Sequence, residues 1–290
     1  MIGMLLAFFA GLSYSARDAF SKRALKNLDE YVTAWALRFF ALPLIIVLLF
    51  SFEMPEVKPA FWWWLVIVTI IDIIIMVIFM KAVKISDLSL VIPILAFTPL
   101  FILIISPFWI HELPNIYGII GIVLVVIGAY ILNIKEKNKG WLFPLKALLI
   151  NKGLRLMFFA SFLMAITTII DRVAIENSSP IFYLIFIHLL YVLMFLPIVL
   201  YRLKGKIKST FIFKNIKLML PVGLSSGFFL LFHMLAIPLT YVSYVSAIEK
   251  LSIIISVIFG YFIFKERNIK GRLTGAVIMV LGILFIILGR

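Results

Sequence analysis

Ser243–Gly282 reads SYVSAIEKLSIIISVIFGYFIFKERNIKGRLTGAVIMVLG, and its reading decides the fold because the chain contains it twice. Set back by 154 residues, it lies over Ser89–Gly128, SLVIPILAFTPLFILIISPFWIHELPNIYGIIGIVLVVIG. Ser243 meets Ser89, Val245 meets Val91, Ile248 meets Ile94 and Phe262 meets Phe108. Glu266 meets Glu112, Gly275 meets Gly121, Val277 meets Val123 and Gly282 meets Gly128. In each copy an apolar run of helix length ends in a charged hinge, His111-Glu112 or Lys265-Glu266, and a second apolar run with glycines seven apart follows. A period of about half the chain is far too long for a solenoid and reads as a duplicated half.

Outward from that repeat, composition sets the class. Hydrophobic residues make up 64% of 290 and the mean hydropathy is +1.20, against roughly 45–50% apolar residues in a soluble domain. The chain divides into ten runs approaching the roughly 20 apolar residues that a 30 Å hydrocarbon core requires. They are 2–20, 31–52, 60–80, 87–110, 115–134, 154–173, 180–201, 217–237, 242–264 and 271–289. The first has no Lys or Arg before it, so it reads as a membrane helix and not as a signal peptide. Phe61-Trp62-Trp63-Trp64 opens the third as an aromatic belt. No Asp, Glu, Lys or Arg occurs from Leu218 to Ile248, and the break between spans eight and nine is expected near Pro238.

The duplication extends backwards. At an offset of 150, Lys22 meets Arg172, Ala24 meets Ala174, Asn27 meets Asn177 and Arg38 meets His188. Halves with an odd number of crossings enter from opposite sides, so the repeats are expected to be inverted about an axis in the membrane plane, as in many transporters. The fold class is therefore an all-α integral membrane protein of ten transmembrane helices, two inverted five-helix repeats around a central cavity. The first repeat spans 1–134 and the second 154–290, joined by a basic amphipathic linker at 135–153 that is expected to lie on the membrane surface.

Net charge is +14, from 27 Lys and Arg against 13 Asp and Glu. The basic residues sit in loops, which argues for attraction to anionic lipid and against nucleic acid. Loops after odd-numbered spans carry 21 Lys and Arg, whereas even-numbered loops and the C-terminus carry only Lys58, Arg172 and Arg290. That bias puts the odd loops in the cytoplasm and both termini outside, in a plasma-membrane protein. With no Cys, disulfides and thiol chemistry are excluded.

Pro99-Leu100-Phe101, His111-Glu112, Gly121 and Gly128, with Lys265-Glu266, Gly275 and Gly282 in the second copy, resemble the EamA repeat of the drug/metabolite transporter superfamily. The resemblance covers nearly the whole chain. It implies two inverted five-helix bundles around a central cavity and movement of small organic solutes, often amino acids and frequently outward. Members of that superfamily are generally drawn with both termini cytoplasmic, so the loop charges here argue the reverse.

Gly121 and Gly128 in span five, and Gly271, Gly275 and Gly282 in span ten, form stripes where helix backbones can approach closely, which reads as packing. The functional argument rests on polar residues inside spans, since a charge at mid-bilayer costs at least a few kcal/mol and faces a cavity or a partner. Asp72, near the centre of span three with no acid or base within eight residues, is read as a solute contact or proton carrier. Glu249 and Lys250 point about 100° apart on one helix, so one is expected to face the cavity and the other a neighbouring helix. Tyr14 and Asp18 share a face of span one. Trp35, Arg38, His188, Tyr191, His233 and Tyr244 complete the candidates for substrate binding or coupling.

No HExxH, nucleoside-triphosphate loop or GxSxG turn is present, so neither an enzyme, a metal site nor a cofactor is expected. The partners expected are a small organic solute, protons as the coupling ion and membrane lipid, with no nucleic acid. Two functional classes stay open: a secondary transporter or exporter of amino acids or similar amphipathic metabolites by alternating access, and a lipid-linked flippase or its accessory subunit. A sealed polar cavity would favour the first and a groove open to lipid the second.

Overall fold

A computed structural model describes residues 1–48, 54–86, 91–132, 151–203, 205, 213–254 and 270–289, and these are helical throughout apart from short connections. The helices are α1 (Ile2–Ala24), α2 (Glu30–Phe39), α3 (Leu42–Leu48), α4 (Ala60–Ile85), α5 (Thr98–Trp109), α6 (Ile116–Leu132), α7 (Lys152–Glu176), α8 (Pro180–Leu203), α9 (Phe213–Ala236), α10 (Val242–Glu249) and α11 (Lys270–Leu288). Among the described residues five stretches are long and apolar enough to cross a membrane: Glu30–Leu48 taken as one, Ala60–Ile85, Lys152–Glu176, Pro180–Leu203 and Asn215–Leu239. Shorter apolar helices run over Ile94–Trp109, Ile116–Ile131 and Thr274–Leu288. Residues 135–150 of the expected linker 135–153, the Lys265-Glu266 hinge and the later part of the expected ninth span lie outside the described residues, and α7 already starts at Lys152.

Local chemistry sets several helix ends. The Asp29 carboxylate accepts the Tyr31 N–H at 2.9 Å and starts α2. The Asn151 side chain accepts the N–H groups of Gly153 and Leu154 and starts α7. Each satisfies backbone donors that have no partner within the helix.

Three expected spans are not single α-helices. Span 31–52 breaks at Phe40-Ala41, because Pro43 lacks an N–H and its ring crowds the carbonyl of Phe39, where α2 ends. Within the described part of span 87–110, a 3-10 turn over Ile92–Phe97 passes into an α-helix at Thr98, with Pro93 and Pro99 at the two starts. Span 242–264 breaks after Glu249, with Lys250 as the capping residue. Glu249 and Lys250 therefore stand at a helix end and not in mid-helix. The break between spans eight and nine falls at Ile237–Leu239, around Pro238 as expected.

α1 packs on α9 and α4 on α7; α2 packs on α8 and on α9, and α4 on α8; α5 packs on α7 and α1 on α10. α6 and α11 lie against each other along their length. A Cβ on Gly121 would come within 2.6 Å of the Gly282 carbonyl, and one on Gly282 within 2.7 Å of the Gly121 carbonyl. One on Gly128 would meet the Gly275 carbonyl at 2.7 Å. Gly271 lies in the first turn of α11. Outward faces are apolar, Trp62 and Trp63 among them, which suits lipid contact and not water.

The helix ends meet in two sets. At one end the Lys58 N–H donates to the Asn177 carbonyl at 3.0 Å and Arg172 lies near Glu112. At the other, Glu30 pairs with Lys84 and lies 3.9 Å from Arg202, while the Ser86 hydroxyl donates to the Asn151 side chain.

Candidate functional site

A cluster of buried charges lies between α1, α2, α4, α7, α9 and α10. Arg38 on α2 donates from Nη2 to Asp72 Oδ2 on α4 at 2.6 Å. Its guanidinium also stands 5.2 Å from the Tyr191 ring centroid on α8. The Tyr183 hydroxyl on α8 donates to the Asp171 carboxylate on α7. His233 Nδ1 on α9 and Glu249 Oε1 at the end of α10 are 2.6 Å apart. On α1, Arg17 binds Asp18 Oδ1 through Nε at 3.1 Å and Nη2 at 2.8 Å. The Arg17 guanidinium stacks 3.8 Å from the Tyr14 ring centroid, and the Lys250 ammonium stands 5.3 Å from the same ring.

These pairs are not isolated. Asp171 is within electrostatic reach of Asp72, His233 and Arg38. Lys250 is within reach of Glu249, Asp18 and Arg17. Among the described residues the cluster holds four carboxyl groups (Asp18, Asp72, Asp171, Glu249) and four basic side chains (Arg17, Arg38, His233, Lys250), so it is neutral when all eight are ionised. Arg17, Asp18, Arg38, Asp171, His233, Glu249 and Lys250 are all buried. Charges withdrawn this far from solvent persist only when paired, since an unpaired one costs several kcal/mol.

The break after Glu249 gives α10 a free C-terminal end inside the protein. α1 reaches it closely: a Cβ on Gly11 would stand 2.8 Å from the Glu249 carbonyl. The Ser15 hydroxyl, one turn on, donates to the Ser252 carbonyl at 2.6 Å. Thus a hydroxyl from another helix binds the backbone just beyond the end of α10.

α2 and α8 meet directly. The Trp35 indole N–H donates to the Val192 carbonyl at 3.1 Å, and the Tyr191 hydroxyl donates to the Ala34 carbonyl at 3.4 Å. His188 Nδ1 lies 2.8 Å from the Leu184 carbonyl. A carbonyl can only accept, so Nδ1 carries the proton.

A second polar group lies at the bundle end, beside a cleft of about 320 Å³ lined by Glu112, Arg172, Pro238, Leu239, Thr240, Tyr241 and Tyr244. Glu112 Oε2 accepts the Val242 N–H at 2.9 Å, which starts α10. Arg172 Nη1 donates to the Ile237 carbonyl at 2.6 Å, its Nε binds Glu176 at 2.6 Å, and Glu112 lies 3.8 Å away. Burial pushes the Glu112 carboxyl up from its ordinary range, and the Val242 N–H and the Arg172 charge offset part of that rise.

Of the residues expected from the sequence, the structure brings Tyr14, Asp18, Arg38, Asp72, His233, Glu249 and Lys250 into one cluster, with Trp35, His188 and Tyr191 beside it. Tyr244 is not among them. It lines the end cleft and packs against Gly118. Of Glu249 and Lys250, expected to divide between a cavity and a neighbouring helix, Glu249 binds His233 of α9 and Lys250 stands over Tyr14 of α1. Asp171 was missed as a site residue, and Arg17, read with Tyr14 and Asp18 as a charge near the end of span one that could equally reach the surface, joins them in the cluster. Both carried a signal, an Asp-Arg or Arg-Asp pair one or two turns inside the end of an apolar helix.

No curated protein matches this chain significantly. A solved crystal structure of 13% sequence identity matches 99% of this chain and 97% of its own length with a TM-score of 0.66, which establishes a shared fold. The family model for the EamA-like transporter family matches residues 1–134 and 151–288. The apolar helices and this match identify a multi-pass membrane protein of the drug/metabolite transporter type. By the extent of that match over both halves, the chain belongs to the EamA-like transporter family.

Proposed function

We propose that this protein is a secondary transporter of small organic metabolites, amino acids or similar amphipathic solutes, working by alternating access and serving export across the plasma membrane. The observation that carries the reading is the buried cluster of Asp18, Arg38, Asp72, Asp171, His233, Glu249 and Lys250, drawn from both halves of an otherwise apolar chain. Packing alone would be served by apolar residues at lower cost. Burial of the cluster between helices, away from the lipid-facing surface, favours a soluble solute over a lipid-linked one.

The helix pairings support inverted repeats at 1–134 and 154–290. Exchanging α1 with α7, α2 with α8, α4 with α9 and α5 with α10 converts the α1–α9 contact into α7–α4. The same exchange turns α2–α9 into α8–α4 and α5–α7 into α10–α1, and all of these contacts occur. Alternating access then has a polar closure at each end: Glu112 with Arg172 at one, Glu30 with Lys84 and Arg202 at the other. By loop charge the Glu112 end is external and both termini lie outside. A proton is the coupling ion. Asp72, its expected carrier, is engaged with Arg38, so the His233–Glu249 pair is the better carrier, holding one proton between a ring nitrogen and a carboxylate oxygen. The test is exchange and uptake of radiolabelled amino acids by proteoliposomes containing the full chain. Exchange above protein-free vesicles is expected, and its absence across the standard amino acids and their common derivatives rejects the reading.

A further inference from the structure

Among the described residues five buried side-chain atoms have no hydrogen-bond partner, and two of them, Arg38 Nη1 and His188 Nε2, lie near the centre of the bundle on facing helices. Arg38 is 4% exposed and His188 0%. An unmade hydrogen bond at such a site costs roughly 1–3 kcal/mol, more for a charged group. The two residues are within electrostatic reach of one another, and they occupy equivalent positions of the two repeats, 150 apart. They project from α2 and α8, one of the helix pairs that meet across the halves.

The two atoms differ in what they offer. Arg38 spends Nη2 on Asp72, which leaves Nη1 with its N–H groups to donate. His188 spends its Nδ1 proton on Leu184, which makes Nε2 of the uncharged ring a lone-pair acceptor. A free donor with a permanent charge and a free acceptor thus stand on facing helices. We propose that Arg38 Nη1 and His188 Nε2 form the subsite that reads the head group of the solute, a carboxylate oxygen accepting from Arg38 and the α-ammonium of the same molecule donating to His188. The proposal rests on the transport reading above and deepens it, from an amphipathic metabolite in general to a molecule bearing both head groups.

Charge supports a zwitterion over a simple anion or cation. The cluster already balances its acids and bases to within the one charge that His233 supplies. A lone carboxylate or amine would bring an uncompensated charge into a site removed from water, whereas a zwitterion brings none. The Tyr191 ring beside the guanidinium, with Phe195 stacked edge-on against it at 5.5 Å, offers an apolar wall to the remainder of the solute. Because donor and acceptor come from different halves, separation of α2 and α8 would dismantle the subsite and release its occupant.

The experiment measures thermal stability of the purified full chain in detergent against the standard L-amino acids, their methyl esters and the amines left by decarboxylation. At least one amino acid is expected to raise Tm, with its ester and its amine binding roughly tenfold or more weaker, the effect of losing one charge-assisted hydrogen bond. Arg38→Lys keeps a cation for Asp72 but has no second nitrogen, and it is expected to lose the amino-acid shift by a similar factor while its Tm without ligand stays near wild type. If Arg38→Lys does not fold, His188→Leu, which removes only the acceptor, is expected to weaken the amino acid while leaving its N-acetyl derivative unaffected. Esters or amines that stabilise as well as the parent acids overturn the subsite and leave the transport reading standing. So does an Arg38→Lys or His188→Leu protein with unchanged amino-acid affinity, in which a bridging water is all the two atoms hold. Failure of every compound to bind, together with no exchange in proteoliposomes, removes the subsite and the transport reading alike.

Discussion

Arg38, buried, and Asp72, half-buried, 34 residues apart in sequence, form an ion pair of 2.6 Å that ties α2 to α4 near the middle of the bundle. Breaking a buried pair from one side leaves the other charge uncompensated, at a cost of about 3–5 kcal/mol, whereas replacing both partners by apolar residues is often neutral. Asp72→Leu alone is therefore expected to lower thermal stability sharply, and Arg38→Met with Asp72→Leu to recover most of it while abolishing exchange. Melting curves of the single and double variants check this. A double variant no more stable than the worse single one removes the pair from this role.

Glu249→Gln and His233→Gln are expected to abolish accumulation driven by an imposed pH gradient in proteoliposomes while leaving solute exchange measurable. Glutamine keeps hydrogen bonding at either position but does not titrate in this range. Asp72→Asn serves as the comparison. If it alone loses gradient-driven uptake, the coupling proton sits at Asp72 after all; a wild type indifferent to the gradient identifies a facilitator.

The pH on the Glu112 side of the membrane is expected to act on the closure there. Burial raises the Glu112 carboxyl in the closed form, so that form takes up a proton at higher pH than an open form in which the group is solvated. By linkage, acidification through the raised value favours closure and alkaline conditions favour opening. Spin labels at Leu113 and Ser178 should report shorter distances as pH falls, and Glu112→Gln should flatten the response. Longer distances at acid pH in wild type would reverse the assignment.

Gly282→Leu is expected to reduce folding yield and thermal stability without changing solute preference, since its side chain would meet the Gly121 carbonyl and Val125. Overpacking of this kind costs about 1–3 kcal/mol. A well-folded variant with altered selectivity would mean that α11 lines the pathway.

Orientation is open to a labelling experiment. With odd loops cytoplasmic, Leu113→Cys should react with an impermeant maleimide on intact cells, and Asn27→Cys should react only after the cytoplasmic side is opened. The opposite pattern would turn the protein over.

What could be read along the chain was one-dimensional. Apolar run length set the spans, because a helix crossing hydrocarbon needs only enough apolar residues. The half-length repeat needed no contacts to be seen, and the seven-residue glycine spacing marked one face each of α6 and α11 before either had a partner. The same logic showed that Asp72, Arg38, Glu249 and Lys250 require partners, since an isolated charge is too costly in that setting. The identity of each partner was not legible, because it depends on how each helix is rotated and which helix it crosses. Tertiary packing joined Asp72 to Arg38, His233 to Glu249 and Asp171 to Tyr183. It also drew Glu112 from a repeat hinge into a contact between halves. The break after Glu249 had no proline or glycine to announce it. It becomes visible only in the packed structure, where α1 brings Gly11 against the Glu249 carbonyl and Ser15 to the Ser252 carbonyl just beyond the break.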